Sequence, residues 1–408
     1  MSLAPVIARA WRDNVLVSAL VELTYACNLD CFYCYNDLGL PGEPLSRAQW
    51  ERLFEDLAAL QVLQLTLTGG EPLAHPDFFA LGRRARELGF LIRIKSNGHA
   101  VDEARARRLR DEVDPFMVEV SLHGARPETH DRQTRVAGSF ERLVGNLGAM
   151  ARVGLRVKLN ATLTAWNEGE IEPMFALADR LGLPLGFGAT VTPRDDGDAT
   201  PLTVAPSRAA VARLYRVLGD RSPDPPPSGI AGEGCTPPPS SEKNCGAGSS
   251  GIAVDPHGNV YPCVQWRRPL GNLHQASIRE IWESSPVLPA VRGLTVEAKR
   301  RREGLGETGR WMSFCLGLSE QHTGDPLGVE PGALTRAELL RQVRTGAGGA
   351  GAEPATDAAA DSTAATTEFR RPAAASAGRS AAMTAARRAA TAAAEAAERR
   401  RVLLPVIA

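Results

Sequence analysis

Two hydrophobic periods take turns along the chain. Val15 to Thr24 is an apolar run that reads as a buried strand, and Val62 to Thr68, Phe90 to Ser96, Phe116 to Leu122, Leu155 to Leu163 and Leu185 to Thr190 read as five more. Between them the apolar spacing becomes helical. Ser46 stands as an N-cap ahead of Trp50, Leu53, Phe54, Leu57 and Leu60, and further helices are expected over Phe78 to Leu88, Glu103 to Arg110, Ser139 to Val153, Glu170 to Leu181 and Ser207 to Leu218. Strands alternating with helices predict an α/β fold: a parallel sheet with right-handed crossovers that curls toward a barrel, with ligands gathering at the carboxyl ends of the strands.

Past this region the pattern changes. Asp220 to Ser241 holds two proline triplets, Pro225 to Pro227 and Pro237 to Pro239, and predicts an extended connector. Gly251 to Val254, a turn at Asp255 to Gly258, and Asn259 to Tyr261 predict a β-hairpin. From about Gly346 alanine, glycine, serine and threonine dominate, which predicts disorder with fluctuating helix around Ala381 to Arg401. The expected organisation is a barrel over 1–218, a connector over 219–241, a small hairpin-containing domain over 242–330 and a low-complexity, largely disordered tail over 331–408.

Composition narrows the function classes. Of the 408 residues 43% are apolar and 23% charged, and the formal net charge is +0, so nothing in the electrostatics points to nucleic acid or an anionic membrane as partner. No apolar run approaches the ~20 residues of a membrane helix. An odd count of seven cysteines argues against a disulfide framework and for a reducing, cytoplasmic setting.

The candidate chemistry falls at the strand ends. Cys27, Cys31 and Cys34 follow the first strand, Gly69-Gly70-Glu71-Pro72 the second and Asn97 the third; Ser121 ends the fourth, Asn160 lies in the fifth, and Arg194, Asp195, Asp196 and Asp198 follow the sixth. Three thiolates from one loop can converge on a metal centre, which would still lack a fourth ligand. A structural zinc site is closed by four protein ligands, and no further Cys or His stands near in sequence to complete one. A cubane iron-sulfur cluster held by three cysteines leaves one iron open for a small chelating molecule. His123 and His130 read as satisfied polar groups, and no Ser-His-Asp or paired-carboxylate arrangement stands out. The chemistry therefore falls to cofactors.

The Cys27, Cys31, Cys34 spacing with Tyr33 before the last cysteine resembles the signature of the radical S-adenosylmethionine (SAM) superfamily, and Gly69 to Pro72 resembles its SAM-binding turn. The resemblance covers about residues 15 to 200 and implies a partial (β/α)6 barrel, six β-α units open on one side. It implies a 4Fe-4S cluster on those cysteines and SAM held by Tyr33, Gly69, Gly70, Glu71, Pro72, Asn97, Ser121 and Asn160. Tyr33 would lie by the adenine through its backbone, and the carbonyls of the glycine turn would meet the SAM amino group. The glycines are expected to allow main chain to approach the ligand.

Residues from Cys245 to Trp282, with Gly258, Cys263, Gly271-Asn272-Leu273 and Ile278 to Trp282, resemble the SPASM or Twitch extension of the same superfamily. This implies one auxiliary 4Fe-4S cluster on Cys235, Cys245, Cys263 and Cys315; the dense cysteine run for a second is missing. The resemblance to peptide-modifying maturases, the pyrroloquinoline quinone peptide cyclases among them, implies a ribosomally made peptide as substrate and a reductant such as flavodoxin or ferredoxin. Fewer than about fifteen residues precede the first strand, too few for a leader-reading domain, so a separate leader-binding partner or a groove is expected. Arg194, Asp195, Asp196 and Asp198 are expected to face substrate. Two alternatives stay open: radical chemistry on a small molecule such as a sugar alcohol or cofactor precursor, and a non-enzymatic metal-binding scaffold.

Overall fold

The computed structural model describes residues 4–36, 39–221 and 241–345. The proline-rich connector, Cys235 and everything from Gly346 onward, including the helix expected around Ala381 to Arg401, lie outside the described residues.

Six parallel strands form the first part of the sheet: β1 (Ser18–Glu22), β2 (Gln64–Thr68), β3 (Leu91–Ser96), β4 (Met117–Ser121), β5 (Val157–Thr162) and β6 (Leu185–Gly188). Three more, β7 (Gly251–Val254), β8 (Asn259–Tyr261) and β9 (Gly271–Asn272), continue it in the order β6-β5-β4-β3-β2-β1-β7-β8-β9. β1 therefore pairs in parallel on both sides, Val21 with Leu67 in β2 and with Val254 in β7. The hairpin expected from the sequence is part of this sheet.

Around the barrel part lie α1 (Ala4–Asp13), α2 (Arg47–Ala59), α3 (Phe78–Glu87), α4 (Glu103–Arg108), α5 (Pro127–Thr134), α6 (Ser139–Val153), α7 (Ile171–Leu181) and α8 (Arg208–Arg221). After the sheet come α9 (Ile278–Ser284), α10 (Leu288–Gly304), α11 (Gly306–Trp311), α12 (Leu316–Thr323) and α13 (Pro331–Thr345). Ser46 caps α2 in a reciprocal box with Gln49, as its position suggests. α4 stops sooner than expected, because a wide turn over Leu109–Val113 lets Leu109 and Val113 both bury fully. α13 packs against α8 and lies inside the 331–408 segment; the compositional shift begins only after it.

Strand alternation divides the sheet chemically. Val21, Leu65, Leu67, Ile92, Ile94, Val118, Val120 and Leu159 are buried in the core with Trp50, Phe54, Phe78 and Leu147 of the helices. The opposite positions, among them Gln64, Thr66, Arg93, Lys95, Glu119, Ser121 and Asn160, are polar or charged, and they form the inner wall.

Candidate active site

The cysteine loop leaves the end of β1 and is tied down from across the sheet. Asp30 N–H donates to Thr134 O (3.1 Å) and Phe32 N–H to Gln133 O (3.0 Å), both at the end of α5, while Cys34 N–H bonds Cys31 O (3.2 Å). Two donors approach the first sulfur: Leu29 N–H at 3.4 Å and Asn97 Nδ2 at 3.8 Å. Burial pushes the Cys27 thiol up to about 12, and it raises Cys31 and Cys34 as well; each of the two later thiols has a neighbouring cysteine or acid adding to the rise. Free thiols so placed are inert nucleophiles; a metal centre would take the place of their protons. Among the described residues no three Cys, His, Asp or Glu side chains converge on one point as a single ion requires. Thiolates around a cubane each take their own iron, so they need to surround the centre rather than meet.

The glycine turn after β2 is joined to this loop. Gly70 N–H bonds Thr24 O (2.7 Å) and Glu71 N–H bonds Ala26 O (2.9 Å). Gly69 has φ +137°, and a Cβ there would stand 2.3 Å from Thr24 O; one on Gly70 would stand 2.6 Å from the carbonyl oxygens of both Tyr25 and Ala26. The sequence suggests that the glycines admit a ligand. What the structure brings against them is the main chain just before Cys27.

Asn36 donates from Nδ2 to Gly69 O (3.1 Å), while its Oδ1 is buried with no partner among the described residues. An orphaned acceptor beside the glycine carbonyl fits a cationic donor such as an ammonium. Glu71 turns away from this point, accepting from Ser96 Oγ (2.9 Å), Asn97 N–H (2.8 Å) and Leu73 N–H (3.2 Å), and burial lifts its carboxyl to about 7. Glu71 thus holds Asn97, whose amide reaches Asn28 Oδ1 (2.8 Å) beside Cys27.

On the inner wall Ser121 and Asn160 are register partners across β4 and β5. Asn160 Nδ2 donates to Glu119 (2.8 Å), which is buried and also accepts from Arg93 Nε (2.8 Å), with Lys95 Nζ 3.6 Å away. The Tyr33 hydroxyl bonds His123 Nδ1. Burial holds His123 well below its ordinary range and His130 at about 4, so both rings are neutral at pH 7, and His130 Nδ1 accepts from His123 N–H (3.2 Å).

The loop after β6 lies over the cysteine loop. Arg194 donates to Phe32 O (3.2 Å) and Cys34 O (3.4 Å) and pairs with Asp198 (3.3 Å), and Asp195 N–H bonds Tyr35 O (2.8 Å). Asp196 Oδ1 accepts from Asp198 N–H (2.9 Å) within the same loop. Two residues missed in the sequence complete this region. Glu22, fully buried at the end of β1, takes both arms of Arg267 (2.8 and 2.9 Å), and Arg267 also meets Asp195 (2.9 Å). An acid ending an otherwise apolar strand was the available signal.

Cys245, Cys263 and Cys315 line a cavity of about 450 Å³ whose far wall is Ser18, Leu20, Thr66, Arg93, Lys95 and Glu119. Burial pushes Cys245 up to about 12 and Cys315 to about 11, with Cys263 among the neighbours that add to both. α12 is brought close by Gly317, where a Cβ would stand 1.9 Å from Gln265 O, and by Trp266 Nε1 donating to Glu320 (2.5 Å).

Comparison with known proteins agrees with this geometry. The profile of the radical SAM superfamily matches residues 21–178, and that of SPASM, an iron-sulfur cluster-binding domain, matches residues 245–304. The chain is 31% identical to the PqqA peptide cyclase of Ruegeria pomeroyi over 68% of this chain and 76% of that protein. It is 33% identical to the mycofactocin maturase MftC of Mycobacterium ulcerans over 66% and 75%. The solved structure of anSMEcpe with bound AdoMet shares the fold at a TM-score of 0.60 and 17% identity, over 81% of this chain and 97% of that one.

Proposed function

The chain belongs to the radical SAM superfamily, with a SPASM iron-sulfur domain, and from this premise we propose that it modifies a ribosomally made peptide by hydrogen-atom abstraction. A 4Fe-4S cluster with SAM bound supplies one-electron cleavage of the sulfonium, giving methionine and a 5′-deoxyadenosyl radical that takes hydrogen from an unactivated carbon. Cys27, Cys31 and Cys34 would hold three irons of that cluster, with the N–H groups around Cys27 favouring its thiolate. The Gly69 and Gly70 carbonyls and Asn36 Oδ1 would receive the SAM ammonium, and Asn97, Ser121, Asn160 and the Tyr33 backbone would border the rest of the cofactor.

Cys245, Cys263 and Cys315 would hold one auxiliary cluster, with Cys235 as the remaining candidate. Arg93, Lys95 and Glu119 would bound the substrate space beside that cluster. Control of so reactive a radical rests on position, which the paired wall of β4 and β5 and the tied cysteine loop provide.

The observation that carries the reading is the cavity shared by the late cysteines and the polar inner wall of the sheet, which leaves room for a substrate beside the second centre. Similarity to a peptide cyclase and a maturase over three quarters of their length supports a peptide as the substrate. A flavodoxin- or ferredoxin-like donor and a leader-binding partner complete the proposal. The test is anaerobic reconstitution with iron and sulfide counts, followed by 5′-deoxyadenosine formation with precursor peptides and with small alcohols. Stimulation by a peptide is expected. Stimulation by small alcohols alone, or zinc without a brown chromophore, overturns it.

A further inference from the structure

We propose that Arg267 is a positioning residue that couples the segment after Cys263 to the loop bearing Cys27, Cys31 and Cys34, so that SAM binding at the first centre depends on docking of the second. The inference rests on assigning those three cysteines to the SAM-binding cluster.

Arg267 follows Cys263 by four residues in sequence and stands among three elements at once. Its guanidinium makes a bidentate pair with Glu22 of β1 at 2.8 and 2.9 Å and a further pair with Asp195 at 2.9 Å, with its side chain only 13% exposed. Tyr25 and Tyr35, on either side of the cysteines, direct their hydroxyls to Glu22 at 3.4 and 3.2 Å. Asp195 is in turn bonded through its N–H to Tyr35 O, and Arg194 beside it holds the carbonyls of Phe32 and Cys34.

Both carboxylates held by Arg267 therefore lead to the loop between residues 25 and 35. A planar fork serves two carboxylates at fixed angles, which a lysine cannot reproduce. Two acids of differing origin, buried together, would repel without it, and both the β1 end and the β6 loop would have to move apart. Structural glue for folding could be supplied by apolar side chains at lower desolvation cost; an ion pair laid directly between two cluster segments fits a registering role better.

The experiment uses the full chain, reconstituted anaerobically, and reads SAM affinity by equilibrium dialysis together with the paramagnetic resonance signal of the reduced N-terminal cluster with and without SAM. Arg267→Met is expected to weaken SAM binding by about tenfold, as two coupled sites commonly show, and to abolish the SAM-dependent change of the signal. Arg267→Lys is expected to restore part of both. The double variant E22Q/R267M removes the more deeply buried of the two orphaned carboxylates; it is expected to fold as the parent does and still bind SAM weakly. Parent-like affinity and signal in both methionine variants would overturn the proposal. So would loss of iron from both centres alike in both, which would make the triad a folding element. Cys27→Ala separates the premise from the inference: if the SAM-dependent signal survives that change, the cluster assignment itself is wrong.

Discussion

Gly70 shows how tightly single residues are constrained here. Alanine at this position sets a methyl 2.6 Å from two carbonyl oxygens of the cysteine loop, neither of which is a flexible side-chain end. Gly70→Ala should destabilise by about 1–3 kcal/mol and lower the iron retained after reconstitution, read by thermal unfolding and iron assay. His130 carries a second prediction. Its ring is held at about 4 against an ordinary 6.5, so between those values the unfolded chain binds a proton that the folded chain refuses. Stability should fall as pH drops through this window, by about 3 kcal/mol from this one group, and become level below it with respect to His130. Urea midpoints at pH 7, 5.5 and 4.5, with His130→Gln as comparison, check the slope. The cysteine loop, the glycine turn and Asn97 could be placed at the strand ends because residue type and local spacing mark those turns. The pairing of Glu22 with Arg267 could not be read, since it spans 245 positions and only the fold brings the two together.

At the scale of elements, the hairpin of β7 and β8 depends on one carboxylate. Fully buried Asp255 accepts from His257 N–H (2.9 Å), Asn259 N–H (2.9 Å), Asn259 Nδ2 (2.8 Å) and the Tyr261 hydroxyl (3.1 Å). Asp255→Ala leaves these donors without their acceptor and should cost about 3 kcal/mol or more, with the auxiliary iron lost before the N-terminal iron. Iron counts beside calorimetric unfolding measure both. The strands could be read from the sequence because one face of each is apolar and period two survives in short runs. Several helices could not: α10 is rich in arginine and lysine, α11 and α12 are short, and α5 is almost wholly polar, so no stripe marks them. β9 has two residues and is defined only by its partner.

For the whole molecule, α13 packs against α8, and the alanine-rich composition starts after Thr345. A chain ending at Thr345 should therefore match the full chain in melting temperature and SAM cleavage, whereas one ending at Glu330 removes α13 and should melt lower; differential scanning calorimetry distinguishes them. Among the described residues no helix is long and apolar enough to cross a membrane. The place of β1 in this sheet bears on how the protein is made. Its second neighbour, β7, lies more than two hundred residues later in the chain, as the pairing of Ser18 with Gly251 shows. During synthesis the strand that leads into Cys27 has one bare flank until most of the chain has left the ribosome, and such a flank invites pairing with other nascent chains. Iron is therefore best delivered after translation, and fragments ending before Ser241 should accumulate as aggregates.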